Sequence, residues 1–165
     1  MNPMRSSAAA VAAALALLAA CEHKPVPPPI PGPPQQVVTG STFHLRSPLA
    51  FPAGGNELVF QNESLVPAAT VSREMPACRL VPEAGAPRTI APGRLTVGSV
   101  NYDQQEIGTT AGMTSVTRIA LAPAPGRPGY TLSCGWPPGA PARGFVSTEQ
   151  IFNAIGGQFS LDLLR

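Results

Sequence analysis

Two histidines, three cysteines and nine carboxylates are what this 165-residue chain brings to chemistry. A zinc-type centre needs three or four Cys, His or carboxylate ligands gathered on one ion. Neither His23 nor His44 stands in such a set, so no metal and no other cofactor is expected. A Ser-His-Asp hydrolase would use His44 as its base. No Gly-x-Ser-x-Gly elbow occurs, however, and Ser99 in "VGSVN" lies in a strand-like run. His44 therefore reads as an exposed strand residue. Asp103 and Glu106 in "NYDQQEIG" read as a solvated turn, and the glycines never form a phosphate-cradling series ahead of a helix. The side chains point to a non-enzymatic protein, which leaves the cysteines.

Cys21 ends a recognisable leader. Arg5 supplies a short positive region, and Ala8 to Ala20 is an unbroken run of 13 Ala, Val and Leu residues. Spanning a bilayer takes about 20 apolar residues, so the run suits the core of a secretory signal at 1–20 instead. The segment Leu18-Ala19-Ala20-Cys21 resembles the lipobox of bacterial lipoproteins. That resemblance implies cleavage before Cys21, acylation of its thiol and of the new amine, and anchoring in a membrane. Several acyl chains, at about 0.8 kcal/mol per buried methylene, hold where one chain would be marginal. The alternative is an ordinary secretory signal cut after Ala20 beside an incidental cysteine.

Residues 21–36 then form a lipidated cysteine and a linker. "KPVPPPIPGPPQQ" favours polyproline II, and at about 3.1 Å per residue it makes a stalk of roughly 45 Å. Its Pro25-Val-Pro-Pro also has the form of a proline-rich ligand. Residues 37–165 remain for one domain. Without Arg5 the chain carries 10 Lys and Arg against 9 Asp and Glu. No basic patch argues for nucleic acid. Lys24 is the only lysine, and with so much Ala, Gly and Pro this composition fits a GC-rich genome.

With Cys21 acylated, Cys78 and Cys134 are left as an even pair, and export to an oxidising compartment predicts a Cys78–Cys134 disulfide. The apolar pattern beyond residue 40 has period two. Phe43 and Leu45, Leu58 and Phe60, Leu95 and Val97, and Tyr130, Leu132, Cys134 and Trp136 sit in short runs broken by Gly and Pro. Val116 and Ile119 mark a further strand. Trp136 is expected to pack against the disulfide. The polar stretch from Asn101 to Ser115 reads as a long hairpin loop that could contact a partner. Near the end, Ser147 or Thr148 caps a helix with Gln150 three residues after Ser147. Ile151, Phe152 and Ile155 would share its buried face, Gly156-Gly157 would stop it, and Phe159, Leu161 and Leu163 would form a last strand. The expected fold is mainly β, an antiparallel β-sandwich or small barrel with one short helix lying over an open end or edge.

The succession "LAFPAGGNELVFQN", "MPACRLV", "RTIAPGRLTVGSV" and "YTLSCGW" over roughly residues 40–135 resembles a group of small proteobacterial lipoproteins with a Cys-stapled β-domain. The resemblance implies an envelope location and carries no activity or functional residue. Glu22, where an Asp would favour inner-membrane retention, leans toward a periplasm-facing outer-membrane location, with the inner membrane and surface exposure left open. Two functions are then in view: a lipid-anchored envelope protein with a structural or binding role, and a periplasmic inhibitor of a protease or lysozyme. Known inhibitors of the second kind resemble this architecture only.

Overall fold

A computed structural model describes residues 36–106, 113–124, 126–140 and 144–164. The leader, Cys21 and the proline-rich stretch lie outside the described residues, as do residues 107–112. The chain is mainly β, an eight-stranded antiparallel sheet curled into a half-barrel with one helix near the C-terminus. The strands are β1 (Thr42–Leu45), β2 (Leu49–Ala50), β3 (Leu58–Gln61), β4 (Ser64–Leu65), β5 (Ala77–Pro82), β6 (Thr89–Ile90), β7 (Gly93–Glu106), β8 (Met113–Ala122) and β9 (Tyr130–Gly135). Helix α1 (Thr148–Ile155) and β10 (Phe159–Asp162) complete the order. In the sheet they run β10-β1-β7-β8-β9-β5-β3-β4, while β2 and β6 form a separate two-stranded ribbon.

Alternation places the core. In β9, Tyr130, Leu132 and Cys134 are buried and the residues between them are half-exposed, as a period of two demands for a sheet with one face dry. Register then carries each buried row across the curl. Ile119 faces Leu132, which faces Leu80, which faces Leu58, and all four are less than a tenth exposed. In β8 the buried positions are Ser115, Thr117, Ile119 and Leu121. Val116 lies on the other face, so Val116 and Ile119, three residues apart, mark the expected strand from opposite sides.

The curl brings the two ends of the sheet to one helix. Helix α1 packs on β3 and β5 near one edge and on β10 at the other. Its capping box is formed as expected: Ser147 Oγ accepts from the Gln150 N–H at 3.2 Å, and Gln150 Oε1 accepts from the Ser147 N–H at 2.9 Å. The buried face differs from the sequence reading. Ile151, Ala154 and Ile155 point inward, while Phe152 is 37% exposed, because at 100° per residue position 152 turns off the stripe that 151, 154 and 155 share. Nor is the helix stopped by a left-handed glycine, since Gly156 keeps right-handed helical angles. Gly157 is needed for approach: a Cβ there would sit 1.9 Å from the Glu63 carbonyl oxygen in the β3–β4 turn.

The β2–β6 ribbon covers the end of the core marked by Tyr130, whose ring stacks on Phe51 at 6.1 Å between centroids. The Tyr130 hydroxyl donates to the Pro87 carbonyl at 3.1 Å, and burial pushes its pKa above 10.0. Arg88 lies over the Phe51 ring at 5.8 Å and donates to the carbonyls of Pro52 and Gly55. A second polar clamp is buried. Gln61 donates to the carbonyls of Ser72 and Met75 and accepts from the Ser72 N–H, at 2.8, 3.0 and 2.8 Å. One amide side chain thereby holds the connection between β4 and β5 in place.

Candidate functional site

Cys78 and Cys134 face each other directly in the β5–β9 ladder and are joined as a disulfide. Both are fully buried. They sit in the middle of a row that runs Tyr102, Thr117, Cys134, Cys78, Phe60 across five strands. An exchangeable redox pair needs access for an attacking thiolate, and this bond has none while the sheet is intact. It is a staple. Trp136, the next inward position after Cys134, is partly buried and packed against the core.

The same row leads outward to a hairpin that extends past its neighbouring strands. The stretch 101–115, read from the sequence as a loop, is mostly paired strand: Asn101 to Glu106 lie in β7 opposite Met113 to Arg118 in β8. Its polar residues misled because they alternate on a ladder that extends past the core. Strand β1 accompanies β7 only from Gly93 to Thr96, and β9 accompanies β8 no further than Val116. Gln104, Gln105 and Glu106 therefore pair with Ser115, Thr114 and Met113 and, among the described residues, with no other strand. A register shift between Val97 and Ser99 marks where the hairpin leaves β1, as bulges do where a strand is re-aimed.

At the root of this arm Tyr102, 51% exposed, meets Phe145, 40% exposed, edge to face at 5.3 Å. On the opposite face of the arm Asp103 and Arg118 pair at 3.2 Å, so Asp103 belongs to a ladder and an ion pair and not to a turn. Beneath Tyr102 the Thr117 hydroxyl is buried and has no hydrogen-bond partner among the described residues. Ser115 and Thr117, 7% and 2% exposed, make this end of the core row polar where the rest is apolar.

His44 is not a solitary strand residue. Its Nε2 lies 2.8 Å from Asp162 Oδ2, with Ser160 opposite it in β10 and Arg94 opposite it in β7. Histidine, aspartate and serine thus come together, which the sequence reading did not foresee across 118 residues. They come together in the open. The side chains of His44 and Asp162 are 34% and 76% exposed on the outer face of β1 and β10. Ser160 shares only the register with His44, and Ser99 stands five residues along β7 from Arg94. A triad needs a nucleophile on the base and a site that excludes water around the reacting atoms. This pair is better described as a cross-strand contact that secures the edge strand.

Two concave regions elsewhere are not lined by His44. One, of about 530 Å³, is a shallow apolar groove along β3 and β4 walled by Pro52, Leu58, Leu65 and Pro67. The other, of about 340 Å³, lies between the β3–β4 turn and α1. Among the described residues no three His, Cys, Asp or Glu side chains gather to hold a metal ion, and no helix is long and apolar enough to cross a membrane. No family model, no curated protein and no solved structure matches this chain.

Proposed function

We propose that this is a non-enzymatic, lipid-anchored envelope protein that works by binding a protein partner, with the β7–β8 arm as its contact element. The observation that carries the reading is the arm itself. A paired hairpin that outruns both neighbouring strands carries the sheet beyond its apolar core, and it presents a half-exposed aromatic pair at its root. Tyrosine and phenylalanine bring much contact area at little entropic cost, which is why such residues anchor interfaces. The lipobox-like leader and the proline-rich stalk supply the address, an outer-membrane tether facing the periplasm. The buried disulfide suits that oxidising setting.

A second reading, inhibition of a periplasmic protease or lysozyme, draws on the same arm. A ladder that projects as a unit could enter a cleft without paying to order itself.

The test places a photo-crosslinking amino acid at Tyr102 in the intact lipoprotein in its own envelope, with a control at Ser133 on the outer face of β9. One partner crosslinked stoichiometrically from 102 and not from 133 is the expected result, with its identity separating inhibitor from assembly factor. Tyr102→Ala is expected to weaken that complex about thirtyfold, equivalent to about 2 kcal/mol. Crosslinks from 133 alone, or none from 102, would overturn the reading. The anchor has its own check: Cys21→Ser should move the protein from the membrane pellet to the soluble fraction, and a variant that still pellets removes the lipid from the account.

A further inference from the structure

The cavity between the β3–β4 turn and α1 is small, about 340 Å³, and its lining is uneven in a way that specifies a ligand. Asn62 and Glu63 come from the turn, Gln150 and Asn153 from the helix, and Met75 with Pro76 from the stretch ahead of β5. Each wall is held from behind. Gln61 fixes Ser72 and Met75 through its buried amide, and the Glu63 N–H donates to the Asn153 carbonyl at 2.9 Å, which ties turn to helix. Asn62 and Glu63 both hold positive φ, 50° and 62°, as a two-residue hairpin turn requires. Glycine usually occupies the second of these positions, because a side chain there costs about 1 kcal/mol or more. A glutamate is kept instead.

Three of the polar side chains in the lining are idle, while Gln150 is engaged in the capping box. The side chains of Asn62, Glu63 and Asn153 make no hydrogen bond or ion pair among the described residues. Glu74 and Glu149 likewise make no side-chain bond among the described residues, but neither lines the cavity, and the other acids whose side chains are described are engaged. Glu57, Asp103 and Asp162 each have a cationic or imidazole partner, and the Glu83 carboxylate accepts from the Gly129 N–H. Glu63 is the one charged side chain that lines the cavity. Arg73, the basic residue nearest Met75 in sequence, lies against Gly139, and Arg46 donates to the Gly156 carbonyl.

We infer that this cavity takes an arginine side chain of a partner protein. A guanidinium carries five N–H donors in a planar fork and no acceptor. Asn62, Glu63 and Asn153, all exposed at the rim of the site, bring amide oxygens and a carboxylate as acceptors, and the carboxylate supplies the opposite charge. The aliphatic stem of the ligand lies on Met75 and Pro76, an adaptable thioether beside a flat ring. Anionic ligands meet no cation in the lining. This site goes beyond the arm reading and does not depend on it.

The experiment is a ¹⁵N-resolved NMR titration of the full chain with three blocked amino acids: N-acetyl-arginine methylamide, its lysine analogue, and its norleucine analogue, which keeps the stem and lacks the charge. Saturable shifts centred on Asn62, Glu63 and Asn153 with the arginine probe are expected, with lysine weaker and norleucine silent. Glu63→Gln should weaken the arginine probe at least tenfold while the rest of the spectrum stays in place. Asn153→Ala, which leaves the backbone acceptor for Glu63 intact, gives a second reading should the turn variant misfold. Equal response to norleucine, shifts scattered over other acidic residues, or indifference to both substitutions would each overturn the proposal. None of these outcomes bears on crosslinking from Tyr102, so the two readings fail separately.

Discussion

Replacing Cys78 and Cys134 together by alanine is expected to cost about 4 kcal/mol. The disulfide joins positions 56 apart in sequence, and in the chain-entropy model a loop of that size is worth about 4 kcal/mol through restriction of the unfolded chain. For a domain of this size that corresponds to a fall in melting temperature of roughly 10–15 °C. Burial shapes how the effect shows itself. With both cysteines fully buried, a reductant reaches the bond only when β5 and β9 part. The native protein should therefore keep its melting curve on brief exposure to dithiol, and lose stability once it has been unfolded and refolded under reduction. The double alanine variant should melt low in both conditions and ignore the reductant. Coincident curves for wild type and variant under oxidising conditions would show that the sheet carries its own stability and the staple is redundant.

The staple was legible because parity decides it: with Cys21 read as part of a leader, two cysteines remain, and Cys134 falls on an inward position of a period-two run. The capping box and the last strand were legible for a similar reason, since Ser147, Gln150 and Phe159 announce themselves within a few residues. What was not legible is everything set by register between distant strands. Asp162 becomes the partner of His44 only once β10 lies beside β1. The arm looked like a loop because polarity was taken as absence of structure, whereas pairing between β7 and β8 needs only each other's backbone. Phe152 was placed inside because it is large and apolar, and the small Ala154 took the buried position by geometry. The cavity beside α1 had no signal at all. Asn62, Glu63, Gln150 and Asn153 are ordinary surface residues until the curl carries the β3–β4 turn to the helix.

The curl itself rests on few side chains, and Phe159 is the one expected to matter most. It sits on the edge strand β10, is 1% exposed, and meets Phe43 on the adjacent β1 at 6.2 Å and Phe60 on β3 at 5.9 Å, both edge to face. Strand β3 lies near the opposite edge of the sheet, so the ring spans the gap that a closed barrel would bridge with hydrogen bonds. Phe159→Ala removes a buried aromatic and both ring contacts, at a cost of about 3–5 kcal/mol. Phe152→Ala, on the exposed side of the neighbouring helix, deletes the same number of atoms and should cost well under 1 kcal/mol beyond helix propensity. The comparison separates closure from mere hydrophobicity. Denaturant unfolding gives the two costs. Amide exchange gives the location, since in Phe159→Ala protection should fall first in β10, in α1 and at the Glu63 amide that bonds to Asn153, while the β5–β9 ladder around the disulfide stays protected. Equal costs for the two alanines, or protection lost evenly across the sheet, would mean that the half-barrel holds its curvature through strand twist alone and that the helix merely covers a shape already made.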